Sequence, residues 1–224
     1  MGNLWVVVPA YRESAVIAQT LRGLARFLPR VVVVDDGSAD ETASLARDAG
    51  AVIVQHAVNL GAGAATQTGI EYALSQGADY VCTFDADGQH DSSTIDVMLE
   101  ALTSGKAEVA LGSRFLGATE GMTAARRLVL RVAIAFTRWQ TGLPLSDTHN
   151  GLRAFTRRAA ELIDLRHAGM AHGSEILAQI ARQRLSYVEV PTTVRYSAYS
   201  MRKGQSLSNS VKIVFELFYA AWSR

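Results

Sequence analysis

Four short runs in the first half of the chain are almost continuously apolar and rich in β-branched residues. They fall at positions 4–8 (Leu-Trp-Val-Val-Val), 31–34 (four valines), 51–54 (Ala-Val-Ile-Val) and 79–84 (Asp-Tyr-Val-Cys-Thr-Phe). Runs of this length without alternation predict strands buried on both faces. Longer stretches of helical spacing lie between them, the first opening at Pro9-Ala10-Tyr11-Arg12-Glu13 and continuing through about Phe27. Each strand gives way to polar or glycine-bearing residues before a helix-like segment follows. That β-α-β-α order predicts a parallel sheet with right-handed crossovers. Ligands of such sheets bind beyond the carboxyl ends of the strands. Three of those ends carry acids or glycines: Asp35-Asp36-Gly37, Asn59-Leu60-Gly61-Ala62-Gly63 and Asp85-Ala86-Asp87-Gly88.

The last of these holds the most chemistry. Asp85 and Asp87 stand one residue apart where a parallel strand ends, and carboxylates so close repel each other unless a cation or water intervenes. Hard oxygen ligands suit Mg²⁺ or Mn²⁺, and Mg²⁺ is typically held by one or two carboxylates together with substrate phosphates. An isolated D-x-D is more often a solvated acidic loop. Its convergence with the other strand ends favours a site.

Composition narrows the field. A chain of 224 residues fits one α/β domain. The net charge of +1, without a basic stripe interleaved with aromatics, excludes nucleic acid as a partner. The single cysteine, Cys82, falls in a core strand and is expected to be a buried apolar residue. No N-terminal signal-peptide pattern is seen, so the expected location is cytoplasmic. No window supplies the roughly 20 apolar residues of a membrane-spanning helix. The stretches 128–136 and 211–222 instead read as amphipathic helices, either packed on the core or lying peripherally on the cytoplasmic face of a membrane with Arg126, Arg127, Arg131 and Arg138 near headgroups. Gly61 and Gly63 form G-x-G without a third glycine and follow the third strand, which argues against a dinucleotide site.

Five segments together resemble the family-2 glycosyltransferases of GT-A fold, in particular the dolichyl- and polyprenyl-phosphate sugar transferases. They are Val8-Pro9-Ala10-Tyr11-Arg12-Glu13, Val34-Asp35-Asp36-Gly37-Ser38, Asn59-Leu60-Gly61-Ala62-Gly63, Phe84-Asp85-Ala86-Asp87-Gly88-Gln89 and Gly112-Ser113-Arg114-Phe115, in the family's order across about residues 4–116. A weaker likeness continues through Ser146-Asp147-Thr148-His149-Asn150-Gly151-Leu152-Arg153-Ala154-Phe155 to Val188-Glu189-Val190-Pro191. The resemblance implies an α/β, Rossmann-like fold with a mostly parallel central sheet flanked by helices. It implies a single domain over 1–224: a nucleotide-sugar and metal half to about residue 116, then an acceptor half from 117 with amphipathic helices.

It also assigns roles. Pro9, Tyr11, Glu13, Asp36, Gly61, Asp85, Ala86 and Arg114 would contact the nucleotide sugar, with Arg114 on phosphate. Asp87, Asp85 and Gln89 would hold Mg²⁺ or Mn²⁺. The residues by themselves leave other roles open: Tyr11 as packing, Glu13 as a helix-start acid, Asp35 as loop support, Ser38 or Asp40 as a cap, His90 as structural and Arg114 in a surface ion pair. Small residues at 61–63 would let the backbone approach the ribose or diphosphate.

On the acceptor side Asp147 is the best acid beyond the D-x-D, as a general base or as a residue that shapes its turn. Glu175 is either a second pocket acid or a helix-start residue. Lipid-phosphate mannosyltransferases carry a late R-x-x-G-x-S-K motif. This chain reads Met201-Arg202-Lys203-Gly204-Gln205-Ser206-Leu207, which leaves Arg202 and Lys203, with Arg195 nearby, as the cations for phosphate. The expected activity is metal-dependent, inverting sugar transfer from a nucleotide-diphosphate sugar to a polyprenyl phosphate. The alternatives are a saccharide-hydroxyl acceptor and a non-catalytic nucleotide-sugar-binding protein.

Overall fold

The structure, a computed structural model, describes residues 2–169 and 171–196. Seven strands form one sheet: β1 (Leu4–Ala10), β2 (Val31–Asp35), β3 (Val52–Gln55), β4 (Tyr80–Thr83), β5 (Val109–Glu120), β6 (Arg153–Thr156) and β7 (Tyr187–Arg195). Their spatial order is β3-β2-β1-β4-β6-β5-β7. β1, β2, β3 and β4 pair in parallel, as do β5 and β7, while β6 runs antiparallel between β4 and β5. The mixed sheet, parallel where the first half of the sequence demands it, has the GT-A, Rossmann-like form.

Helices cover both faces. These are α1 (Ile17–Gly23), α2 (Thr42–Asp48), α3 (Ala62–Ser75), α4 (Thr94–Thr103), α5 (Ala124–Thr141), α6 (Arg157–Leu162) and α7 (His172–Gln183). Successive strand residues point to opposite faces, so the valine runs divide between two cores. Val6, Val8, Val31 and Val33 join Leu21, Cys82 and Met98 in one layer. Val7, Val32 and Val34 join Ile70, Phe155 and Ile176 in the other. Burial on both sides explains why these strands are uninterrupted by polar residues, and each fully buried valine contributes about 1.5–3 kcal/mol. Cys82 lies in this core with its thiol pKa raised by burial, as its strand position predicts.

One expectation changes in detail. The helical stretch through Phe27 starts later and breaks into α1 and a 3-10 turn at Ala25–Phe27. Arg12 takes a left-handed φ of 54°, so the chain turns after β1 before helix begins. Glu13 therefore sits in the turn and receives the Ile17 amide on its carbonyl at 2.8 Å.

The topology fixes where a ligand goes. From β1 the chain crosses to β2 on one side, and from β3 it returns to β4 on β1's other side. The crossovers thus diverge over the ends of β1 and β4, a topological switch point with a crevice beyond the strand ends.

Candidate active site

A pocket of about 490 Å³ occupies that crevice. Its first wall comes from the ends of β1 and β2 and from the turn before α3, with Pro9, Tyr11, Glu13, Asp36 and Gly61 on its surface. Asp85, Ala86 and Asp87 make the floor. The opposite wall is the segment 149–151 with Arg153 of β6 and His172 at the start of α7.

Asp36 is 2% exposed and organises the first wall. Its Oδ1 accepts the Leu60 amide at 2.8 Å and meets His56 Nδ1 at 2.7 Å, while Oδ2 accepts the Gly61 amide at 2.8 Å. His56 is in turn anchored through Nε2 to Thr68 Oγ1 at 3.0 Å. Asp35 is fully buried and holds Ser38 N and Gln55 Nε2, the loop support expected of it. The small residues before α3 have a reason that the sequence did not display. A Cβ on Gly61 would lie 2.3 Å from the Ala168 carbonyl oxygen, and one on Gly63 would lie 2.0 Å from that of His167. They make room for the 167–168 loop.

The floor is an electrostatic constraint. Asp85 follows β4, and its Oδ2 lies 3.0 Å from His90 Nε2. Its carboxylate rests on bare backbone, because a Cβ on Gly151 would stand 2.2 Å from Oδ1. Asp87 accepts from the Gln89 amide at 3.1 Å and from Gln89 Nε2 at 2.7 Å. Ala86 ties the turn to α1 by accepting Thr20 Oγ1 at 2.9 Å. Burial first, and then the Asp85 charge, push the Asp87 carboxyl up to about 6. His90 and neighbouring cations hold Asp85 low in spite of its desolvation. Among the described residues no group of three His, Cys, Asp or Glu side chains is placed to hold a metal by itself. The donor set is two carboxylates with open space beside them, and their mutual repulsion is what a divalent cation sharing its shell with phosphates would relieve. Asp85 and Asp87 fit that group. Gln89 stands behind Asp87, 4% exposed and off the pocket surface, so its amide orients the carboxylate.

Two other candidates stand beneath the far wall. Arg114 and Asp147 form a buried ion pair, Nε to Oδ2 at 2.6 Å, with side chains 6% and 0% exposed. Asp147 also accepts the amides of Arg114 at 3.1 Å and His149 at 3.2 Å. Arg114 further donates to the Tyr196 hydroxyl at 2.8 Å and to the His149 carbonyl. Glu189 fixes the same segment through the Ser146 and Asp147 amides. Neither Arg114 nor Asp147 reaches the pocket surface, so the pair shapes the loop that carries residues 149–151. Glu175 accepts the Arg166 and His167 amides and faces a second cavity of about 420 Å³ between α5 and α7. Arg202 and Lys203 lie outside the described residues, as does the stretch 211–222. Arg195, exposed, pairs with Glu120 at 3.4 Å.

The pocket also contains residues to which sequence reasoning gave no role: Asn59, His149, Asn150, Arg153 and His172. Arg153 carried the clearest signal, a cation opening an otherwise apolar strand directly after Asn150-Gly151-Leu152. Burial pushes its pKa down to about 10 and that of His149 to about 4, which leaves the imidazole neutral at neutral pH.

An acidic pair on the switch point of a GT-A sheet, facing a wall built from β1 and β2, defines a sugar-transferase architecture. The glycosyl transferase family 2 model matches residues 5–163, and the chain belongs to that family. It is 32% identical over 230 residues to the polyprenol monophosphomannose synthase of Mycolicibacterium smegmatis, covering 97% of this chain and 85% of that one. It is 29% identical over 239 residues to a UDP-N-acetylglucosamine–dolichyl-phosphate N-acetylglucosaminyltransferase of Methanococcus voltae, covering 96% and 93%. Among solved structures it resembles glucosyl-3-phosphoglycerate synthase from Mycobacterium tuberculosis in complex with Mn²⁺, uridine diphosphate and phosphoglyceric acid. The TM-score there is 0.72 at 17% identity, with 97% of this chain and 78% of that one covered. The chain is a family-2 glycosyltransferase.

Two outcomes follow from this electrostatics. Because the folded-state pKa of Asp87 is raised, its carboxylate destabilises the metal-free fold progressively as pH climbs from about 4 to about 6, by up to about 3 kcal/mol above that window. Thermal melts in EDTA should therefore show Asp87→Asn more stable than wild type at pH 7.5, with the difference vanishing near pH 4. Equal melting temperatures at pH 7.5 would contradict the strain. Asp147→Asn leaves the buried Arg114 charge without its partner, and breaking such a pair costs about 3–5 kcal/mol. Denaturant titration should show a large stability loss, whereas nucleotide affinity measured on the folded fraction at low temperature should persist.

Proposed function

We propose that this protein transfers a sugar, with inversion, from a nucleoside-diphosphate sugar to a polyprenyl phosphate, using Mg²⁺ or Mn²⁺ held by Asp85 and Asp87. The observation that carries this reading is the commitment of Asp147. With its oxygens engaged by Arg114 and by backbone amides, it has no access to the pocket as a general base. Among the described residues, the carboxylates on the pocket surface are Glu13 and Asp36 on the β1–β2 wall and the floor pair. The far wall has none. A hydroxyl acceptor needs a base to take its proton, whereas a phosphate arrives already anionic. The relatives named for polyprenol and dolichyl-phosphate transfer support the same acceptor class.

The chemistry then divides among the parts of the pocket. The wall of Pro9, Tyr11 and Asp36 seats the nucleoside, with Asp36 keeping the 60–61 amides in register and Tyr11, 36% exposed, offering a ring face to the base. Asp85 and Asp87 would hold the cation, which would supply positive charge to stabilise the departing diphosphate. Gln89 and His90 keep the two carboxylates in their rotamers. A phosphate oxygen forms the new bond to the anomeric carbon while the bond to the nucleoside diphosphate breaks on the opposite face, and no proton has to be removed. A saccharide-hydroxyl acceptor remains the second reading. Its base would be an imidazole of the far wall, His149 or His172, or a group beyond the described residues.

A peripheral position at the membrane fits α5. Leu130, Ala133, Ile134 and Thr137 are its buried face, while Leu128, Val132 and Trp139, the last 78% exposed, point outward beside Arg127 and Arg131. Among the described residues no helix is long and apolar enough to cross a bilayer. An apolar stripe flanked by arginines is suited to the headgroup boundary on a cytoplasmic face. Leu128→Ser with Trp139→Ser should reduce co-sedimentation with anionic vesicles several-fold, and unchanged binding would remove α5 from that role.

A panel assay tests the reaction. Nucleoside diphosphate release should require both a divalent cation and a polyprenyl phosphate. Excess EDTA and Asp87→Ala should each lower it by at least about 10²-fold, the order of loss when electrostatic stabilisation of a leaving group is removed. Release driven instead by a sugar alcohol would establish the second reading, and full turnover in EDTA would end the metal-dependent one.

A further inference from the structure

Arg153 and Arg114 are both buried arginines at or beneath the far wall, 4% and 6% exposed, yet their surroundings differ. Arg114 has Asp147 at 2.6 Å. Among the described residues Arg153 has no carboxylate at ion-pair distance, and its hydrogen bond runs from Nε to the Asn150 carbonyl at 3.1 Å. Asp85 and Asp147 offset its charge only from beyond contact distance, and a buried cation without a contact counter-ion is costly to keep. The end of its guanidinium meets Gly173, where even a Cβ would stand 3.3 Å from Nη2. Nothing bulkier covers it there.

A second, independent observation lies beside it. The Asn150 side chain is 4% exposed, and its Oδ1 accepts the Leu152 amide at 3.0 Å, which fixes the orientation of the group. Nδ2 is then left buried with no partner. His149 repeats the pattern: Nδ1 is engaged with Thr148 Oγ1 at 2.8 Å and Nε2 is buried without a partner. Buried polar groups are nearly always satisfied. Arg153, Asn150 and His149 all line the pocket on the wall across the floor from the nucleoside wall.

We propose that Arg153 and the Asn150 amide, with His149 beside them, form the seat of the acceptor's phosphate group. The inference rests on the phosphate-acceptor reading above and locates that phosphate. An inverting displacement needs its nucleophile on the side of the anomeric carbon away from the leaving diphosphate. With the diphosphate drawn to the Asp85–Asp87 cation, that side is this wall. Guanidinium and amide N–H groups suit phosphate oxygens. The bare backbone of Gly151 brings the seat directly against Asp85.

The test uses the whole chain with UDP-glucose, UDP-N-acetylglucosamine and UDP-glucuronate as donors and decyl phosphate in detergent as a soluble acceptor. For Arg153→Gln and for Asn150→Asp, which keeps the oxygen that holds Leu152 N, the KM for decyl phosphate should rise by about tenfold or more, the scale of one charge-assisted hydrogen bond. The Kd for UDP with Mn²⁺, measured by calorimetry, should move less than about threefold on the same scale. Arg153→Lys should recover part of the loss. If Arg153→Gln does not fold, Asn150→Asp and Arg153→Lys carry the comparison. Inorganic phosphate should compete with decyl phosphate in the wild type, which separates recognition of the phosphate group from recognition of the chain. An unchanged acceptor KM with a raised UDP Kd would overturn the proposal and place Arg153 on the donor. So would a defect confined to UDP-glucuronate as donor, which would assign Arg153 to a sugar carboxylate. UDP release from these donors by wild type that is driven by a sugar alcohol and not by decyl phosphate would instead reject the acceptor class itself.

Discussion

Two carboxylates side by side at the end of β4 constrain much of what surrounds them. Left alone, Asp85 and Asp87 would turn apart into solvent, as acidic loop residues do. Here Gln89 grips one, His90 meets the other, Thr20 clamps the turn between them, and Gly151 brings backbone up against Asp85. The partial burial of Asp87 and, after it, the Asp85 charge raise the Asp87 pKa. These contacts hold the two carboxylates side by side at the end of β4.

The far side of the pocket handles charge by two different means. Arg114 and Asp147 neutralise each other in the interior and thereby set the course of the 146–150 segment. Arg153, a few residues on, is left for an outside partner. Which of two buried arginines is structural and which faces substrate is decided by a single carboxylate.

Much of the β1–β2 wall and the floor was legible in the sequence because strand ends are local features. An apolar run followed by acids or glycine marks both the strand and the edge where ligands collect, and Pro9, Tyr11, Asp36, Gly61, Asp85 and Asp87 all reach the pocket from such edges. Helix onset was less legible, since the left-handed Arg12 that delays α1 has no compositional signal. The acceptor side depends on pairings distant in sequence. Arg114 with Asp147 and Ser146 with Glu189 join residues more than thirty positions apart, and a linear reading cannot tell a free carboxylate from a paired one. The glycines before α3 show the same limit, because the 167–168 loop that they accommodate comes from the far end of the chain.

The antiparallel placement of β6 has a further consequence. Because β6 hydrogen-bonds directly to β4, with Thr83 opposite Arg153, the strand that ends in the acidic pair and the strand that supplies the far wall share one ladder. The floor and Arg153 on the far wall are thus anchored on adjacent strands, whose spacing is about 4.8 Å. Side-chain replacements along β6 and at the start of α7 alter the far wall while the backbone register to the floor is kept. A scaffold of this kind changes its customers by altering one edge of a fixed gauge.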